Sequence, residues 1–157
     1  MASPPMPARD PLITPPANLI RRSWQVWLRN LTTQVNAAPS RLQTVSLAAQ
    51  TASIGATSIP SSALSAGLYR VTWYARIAVA ATTSSSLTVT LGWVDDTVTM
   101  SLSGAALTGN TTTTSQTSTA LLAVDNASPV TYTTTYASVG ATAMQYTLDI
   151  TLEAVSV

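Results

Sequence analysis

The sequence predicts a mainly β protein, an antiparallel β-sandwich of jelly-roll type, preceded by an extended N-terminal arm and one amphipathic α-helix. Three observations carry this prediction. From Leu42 onward, apolar residues alternate with threonine, serine or charged residues at the period of a half-buried strand. The alternating runs are separated by turn residues, with no helical interval between them, which argues for stacked antiparallel sheets rather than a parallel one. Before Leu42 the pattern differs: six of the nine prolines fall within the first 16 residues, and a period near that of a helix follows. The expected organisation is an arm over 1–17, a helix over 18–38 and a head over 42–157.

The arm holds Pro4, Pro5, Pro7, Pro11, Pro15 and Pro16. Proline removes a backbone donor and fixes φ, so the segment is extended and does not fold alone. It is either a tail or an arm that orders on a partner; in the second reading Pro11, Leu12 and Ile13 are the docking residues.

Asn18 is placed to cap a helix, and Ile20, Trp24, Trp27, Leu28, Leu31 and Val35 then recur at helical spacing to about Ala38, where Pro39 ends the run. Ile20, Trp24, Trp27 and Leu31 step by four, three and four, the spacing of a coiled-coil seam. Arg21, Arg22, Arg29 and Asn30 lie mostly off that face. Burying a large apolar side chain is worth about 1.5–3 kcal/mol, so two exposed tryptophans are an unstable resting state. The face must pack on the chain's own β domain, on copies of itself or on another protein. The repeating seam favours self-association through Ile20, Trp24, Trp27, Leu28 and Leu31.

Within the body, Val45, Leu47 and Ala49 begin the period-two pattern. Tyr69, Val71, Trp73, Ala75, Ile77 and Val79 alternate with Arg70, Thr72, Tyr74 and Arg76 in the longest run. Leu87, Val89, Leu91 and Trp93 form a second inward row, and Val98, Met100 and Leu102 a third, with Asp95-Asp96 marking the hairpin turn between them. Tyr146, Leu148, Ile150 and Leu152 face inward while Thr147, Asp149, Thr151 and Glu153 face out. By the same parity Tyr69 and Tyr146 are inward and Tyr74 outward. Residues 103–119 are low in complexity, divided between an exposed loop and a threonine-faced edge strand; this segment is either a binding surface or a solvated connector.

Composition narrows function by exclusion. Only 8% of residues are charged, lysine, histidine and cysteine are absent, and the net charge is +1. That charge offers no broad field for nucleic acid. Without histidine or cysteine the usual nucleophile–base pairs, zinc clusters and disulfides have no residues to form them. A two-carboxylate glycosidase needs only a positioned pair, but Asp95, Asp96 and Asp125 fall at turns, and Asp149 and Glu153 on a polar strand face. Asp95-Asp96 is too acid-poor for a calcium loop, and there is no glycine-rich phosphate loop. The expectation is a protein without enzymatic activity or cofactor, made in the cytoplasm with neither signal peptide nor membrane insertion. Charge is also uneven along the chain: Arg9, Arg21, Arg22, Arg29 and Arg41 precede Leu42 with only Asp10 opposing them, so the two parts face different partners.

Pro11-Leu-Ile-Thr-Pro-Pro followed by Trp24-Gln-Val-Trp-Leu-Arg-Asn-Leu31 is similar to the anchors of small bacteriophage virion proteins. Gly67-Leu-Tyr-Arg-Val-Thr-Trp-Tyr-Ala-Arg76, Tyr132-Thr-Thr-Thr-Tyr136 and Met144-Gln-Tyr-Thr-Leu-Asp-Ile-Thr-Leu-Glu153 resemble the β-rich portions of phage fibre, head-fibre and collar proteins. The resemblance implies a virion protein: an N-terminal segment fastened to a connector, tail or capsid protein, a trimerising helix, and a projecting knob that attaches to a host-surface glycan. No repeated shaft is present, so the fibre is short. The alternatives are a capsid decoration protein and a stand-alone carbohydrate-binding module.

Overall fold

The computed structural model describes residues 13–14, 19–20, 22–35, 40–59, 63–125 and 127–155. Its contacts divide the chain into two units, Met1–Pro39 with Ser156–Val157, and Ser40–Val155.

In the first unit, β1 (Ile13–Thr14) and β2 (Leu19–Ile20) pair antiparallel, with Ile13 opposite Ile20 and Thr14 opposite Leu19. The helix α1 runs from Arg22 to Val35. Ile20, expected on the helical seam, therefore lies in a strand, and Ile13, expected in the docking arm, is its partner. The physical reason is that a β-branched residue loses side-chain freedom in a helix and fits a ladder better. Pro11, Leu12, Asn18 and residues 36–39 lie outside the described residues. Trp24 and Trp27 meet edge to face, with ring centroids 5.5 Å apart and planes at 77°. No acid stands in the helix's first turn and no base in its last, so the macrodipole is unopposed and Arg22 sits at its positive end. A helix of 14 residues is marginal by itself and depends on burying its apolar face.

The second unit contains β3 (Ser40–Gln50), β4 (Ile54–Ser58), β5 (Gly67–Val79), β6 (Ser84–Asp95), β7 (Val98–Ser103), β8 (Ser115–Val124), β9 (Thr131–Val139) and β10 (Gln145–Ala154). They form two four-stranded antiparallel sheets, in the orders β3-β10-β5-β8 and β4-β9-β6-β7. The pairs β3–β10, β4–β9, β5–β8 and β6–β7 are the successive rungs of one long antiparallel ribbon. Folding that ribbon over itself adds the pairs β10–β5 and β9–β6 and closes two Greek keys, which is the jelly-roll topology.

The core lies between the sheets and is built from alternate residues. Val71, Ile77, Tyr146, Leu148, Ile150 and Leu152 are fully buried from the first sheet, and Leu87, Val89, Leu91 and Tyr132 face them from the second. The inward row anticipated in β10 is present throughout, and Tyr69 and Tyr146 are buried while Tyr74 is exposed. Gly104 is required where the chain leaves β7: a Cβ there would stand 2.7 Å from the indole of Trp73.

A polar chain crosses the core. The Ile54 amide donates to Thr134 Oγ1 (2.8 Å), the Thr134 hydroxyl donates to Tyr146 Oη (2.8 Å), and the Tyr146 hydroxyl donates to the Ala52 carbonyl (2.9 Å). Every member has a partner, so the network specifies the approach of the two sheets without an unpaired polar atom.

Burial raises the pKa of Tyr146, partly opposed by the Thr134 hydrogen bond. A phenol that ionises less readily folded than unfolded supports stability below the unfolded value near 10 and loses that support as pH rises through the folded value. Urea midpoints are therefore expected to fall above pH 10, and Tyr146→Phe to flatten that dependence while costing about 1–3 kcal/mol at neutral pH, because the buried Thr134 hydroxyl loses its acceptor.

Candidate functional site

The carboxylates are placed as structural groups. Asp96 and Thr97 form the tip of the β6–β7 hairpin with φ of 46° and 67°, the paired left-handed conformation of a type I′ turn. Such a turn favours Asn-Gly, and Thr97 is β-branched. The turn is held by Asp125, whose two carboxylate oxygens accept from the Asp96 amide (3.1 Å) and the Thr97 amide (2.7 Å). Asp149 accepts from Ser46 Oγ at 2.6 Å, and Glu153 pairs with Arg70. Asp149 and Glu153 lie four residues apart on one strand face, about 13 Å along the strand, beyond the roughly 5–9.5 Å separation of a glycosidase pair. No cluster of metal-ligating side chains occurs among the described residues.

The 103–119 segment is tied down where a binding loop was one expectation. Leu107 bridges to Leu87 and is buried. Asn110, at φ 47°, accepts from the Ala81 amide (2.9 Å) and Ser85 Oγ (2.8 Å) and donates to the Ala81 carbonyl (3.1 Å). Residues from Ser115 onward form edge strand β8, as the threonine pattern indicated, with Thr117 and Thr119 exposed. The alternation in 115–124 signalled the strand; no sequence signal marked Asn110 as a side-chain anchor.

The largest departure from expectation is β7. Val98, Met100 and Leu102 stand opposite Asp95, Trp93 and Leu91 and so share the inward face, yet they are 57%, 38% and 45% exposed. The physical reason is that β8, the edge of the facing sheet, packs against β6 and leaves β7 beyond its cover. Beneath this shelf the Trp93 indole N–H is buried without a partner. Leu121, on the outer side of β8, is 60% exposed. Neither β7 nor β8 contains a charged residue or a proline, the devices that ordinarily protect sheet edges from pairing.

On the helix, Trp24 and Trp27 are half-buried and Leu28 is exposed. These three are brought onto one helical stretch with Leu31, whereas Ile13 and Ile20 are separated from it in the β1–β2 ladder.

The outer faces of the two sheets differ. Arg41, Arg70, Arg76, Asp149 and Glu153 belong to the outer face of β3-β10-β5-β8 by register. The outer face of β4-β9-β6-β7 presents Thr88, Thr90, Thr131, Thr133, Thr135, Ser101 and Ser103, with no charged side chain among the described residues. No helix among the described residues is long and apolar enough to cross a membrane. The chain matches no protein-family model, and no curated protein is similar to it in sequence.

Asp125→Ala is expected to lower stability by about 1–3 kcal/mol, because two turn amides lose their acceptor. Thr97→Gly is expected to raise it by about 0.5–1 kcal/mol by relieving the left-handed conformation. Chemical denaturation of the two variants checks both signs.

Proposed function

We propose that this chain is a non-enzymatic structural protein of a bacteriophage particle. In this reading it is a short homotrimeric fibre, fastened through its N-terminal region to a connector, tail or head protein and displaying the jelly roll as a knob. The observation that carries the reading is the uncovered, charge-free side of the body formed by edge strands β7 and β8. An inward-facing apolar row left 38–57% exposed is costly for an isolated protein at about 25 cal/mol per Å², and an unprotected edge of this kind invites pairing. Both costs disappear when another copy covers the wall. The helix adds a second self-associating element: Trp24, Trp27, Leu28 and Leu31 supply the seam, and three joined helices raise the local concentration of knobs.

A single observation favours the capsid-decoration reading as the alternative. The threonine and serine face of β4-β9-β6-β7 carries no charge among the described residues, which suits lying against a shell over its whole breadth. In either case the protein would be carried in the virion.

Light scattering of the full chain is expected to give a trimer. Trp24→Ala combined with Trp27→Ala is expected to reduce it to monomer, and Met100→Lys to weaken association by at least about tenfold, since a charge would be buried without a partner. A monomeric parent chain would overturn the fibre reading.

A further inference from the structure

The outer face of β3-β10-β5-β8 carries a polar hollow. One transverse row of side chains, read through the register, is Arg41, Glu153, Arg70 and Leu121; the next is Thr44, Thr151, Thr72 and Thr119. Arg41, Arg70, Thr72, Thr119, Thr151 and Glu153 line a shallow depression of about 330 Å³, within the roughly 300–1,000 Å³ range of small-molecule sites.

A β-bulge creates this arrangement. Leu152 pairs with Gln43 but Glu153 pairs with Arg41, so Leu42 is the extra residue and Arg41 is re-aimed to stand across from Glu153. Glu153 is thereby flanked by two arginines. Arg70 directs both its Nε (2.9 Å) and its Nη2 to the same oxygen, Oε2. Among the described residues, Glu153 Oε1 and the Arg41 guanidinium have no hydrogen-bond or ion-pair partner. The floor is a hydroxyl row in which Thr72 and Thr119 are linked at 3.2 Å.

These groups ask for a ligand with two kinds of polar atom. The Arg41 guanidinium offers paired donors suited to a carboxylate, whereas Glu153 Oε1 accepts only, and would repel a compact anion while taking a hydrogen bond from an alcohol. The threonine hydroxyls donate or accept. An inorganic anion uses the arginine and opposes the glutamate; a neutral sugar uses the glutamate and leaves the arginine idle. We infer that this hollow binds a carboxylate-bearing sugar, with the carboxylate on Arg41 and ring hydroxyls on Glu153, Thr72 and Thr151. Tyr74, two residues along β5 from Thr72 and about 7 Å away, is 40% exposed and extends the surface towards a second ring.

As a host-attachment site the hollow rests on the display reading above; as a binding site it stands on its own geometry. One such site holds a monosaccharide in about the millimolar range, and three on one particle reach useful avidity when the sugars are polymeric.

The test is saturation-transfer NMR on the full chain with D-glucuronate, D-glucose, acetate and inorganic phosphate as probes. Glucuronate is expected to bind at least about tenfold more tightly than the other three. Arg41→Gln, at an exposed position, is expected to weaken glucuronate about tenfold, with thermal melting confirming the fold, and Arg76→Gln, outside the hollow, to leave it unchanged. No glucuronate binding, equal binding of acetate or phosphate, or full binding by Arg41→Gln would each overturn the site. Light scattering on the same samples keeps the two readings apart: a trimer without sugar binding removes the site alone, and sugar binding by a monomer removes the fibre alone.

Discussion

The architecture depends on the register of β10. This strand lies between β3 and β5 and pairs with both, so its alternation sets the faces of its neighbours. Tyr146, Leu148, Ile150 and Leu152 point into the core, and Thr147, Asp149, Thr151 and Glu153 point away from it. A slip of one residue would drive Asp149 and Glu153 into the interior and expose four of the most deeply buried side chains. The Thr134–Tyr146–Ala52 chain opposes such a slip, because a buried hydroxyl shifted from its partner loses a hydrogen bond that no water replaces.

Hydroxyls take the place of charge on this protein. Threonine satisfies the strand's preference for a branched side chain and presents a polar atom outward without the entropy and desolvation cost of ordering a lysine. The consequence appears at the edges, where charge would ordinarily discourage pairing. Where charge is retained on the body, it is concentrated on one outer sheet face and at the β6–β7 end, leaving the opposite face uncharged among the described residues and largely hydroxylated. The body therefore offers three chemically distinct surfaces, one apolar at its side, one neutral and hydroxylated, and one mixed.

Much of the fold was legible because parity is local. The inward rows of β5, β6 and β10 follow from alternation alone, and Asp95-Asp96 located the hairpin within a residue. What was not legible required knowledge of neighbours. Val98, Met100 and Leu102 have the right parity for the core, but whether a facing strand covers them is decided by β8, some twenty residues further on. Ile20 fitted a helical seam and also fitted a ladder with Ile13; the second choice is a pairing, which periodicity does not encode. Arg41 read as part of a basic N-terminal set, since a bulge that turns it towards Glu153 has no signature in Ser40–Gln50. Asp125 read as a turn residue of its own loop, and its carbonyl does accept from the Ser128 amide there; that its carboxylate also holds the Asp96–Thr97 turn is a tertiary contact with no local signature.

The ribbon topology also governs the order in which the body can form. Ser46 and Asp149, joined by a hydrogen bond, are 103 positions apart, and non-local pairings of this kind slow folding because loop closure precedes its reward. Until residues 145–154 have left the ribosome, β3 and β5 lack the strand that belongs between them and their inward rows remain open to other chains. The helix, by contrast, emerges more than a hundred residues earlier; its hydrogen bonds are local, and what it lacks is a surface to bury its apolar face. Were the helices to associate as proposed above, nascent copies on one messenger would meet through their N-terminal segments while their heads are still unfinished, and the closing of each head would be the final step of assembly.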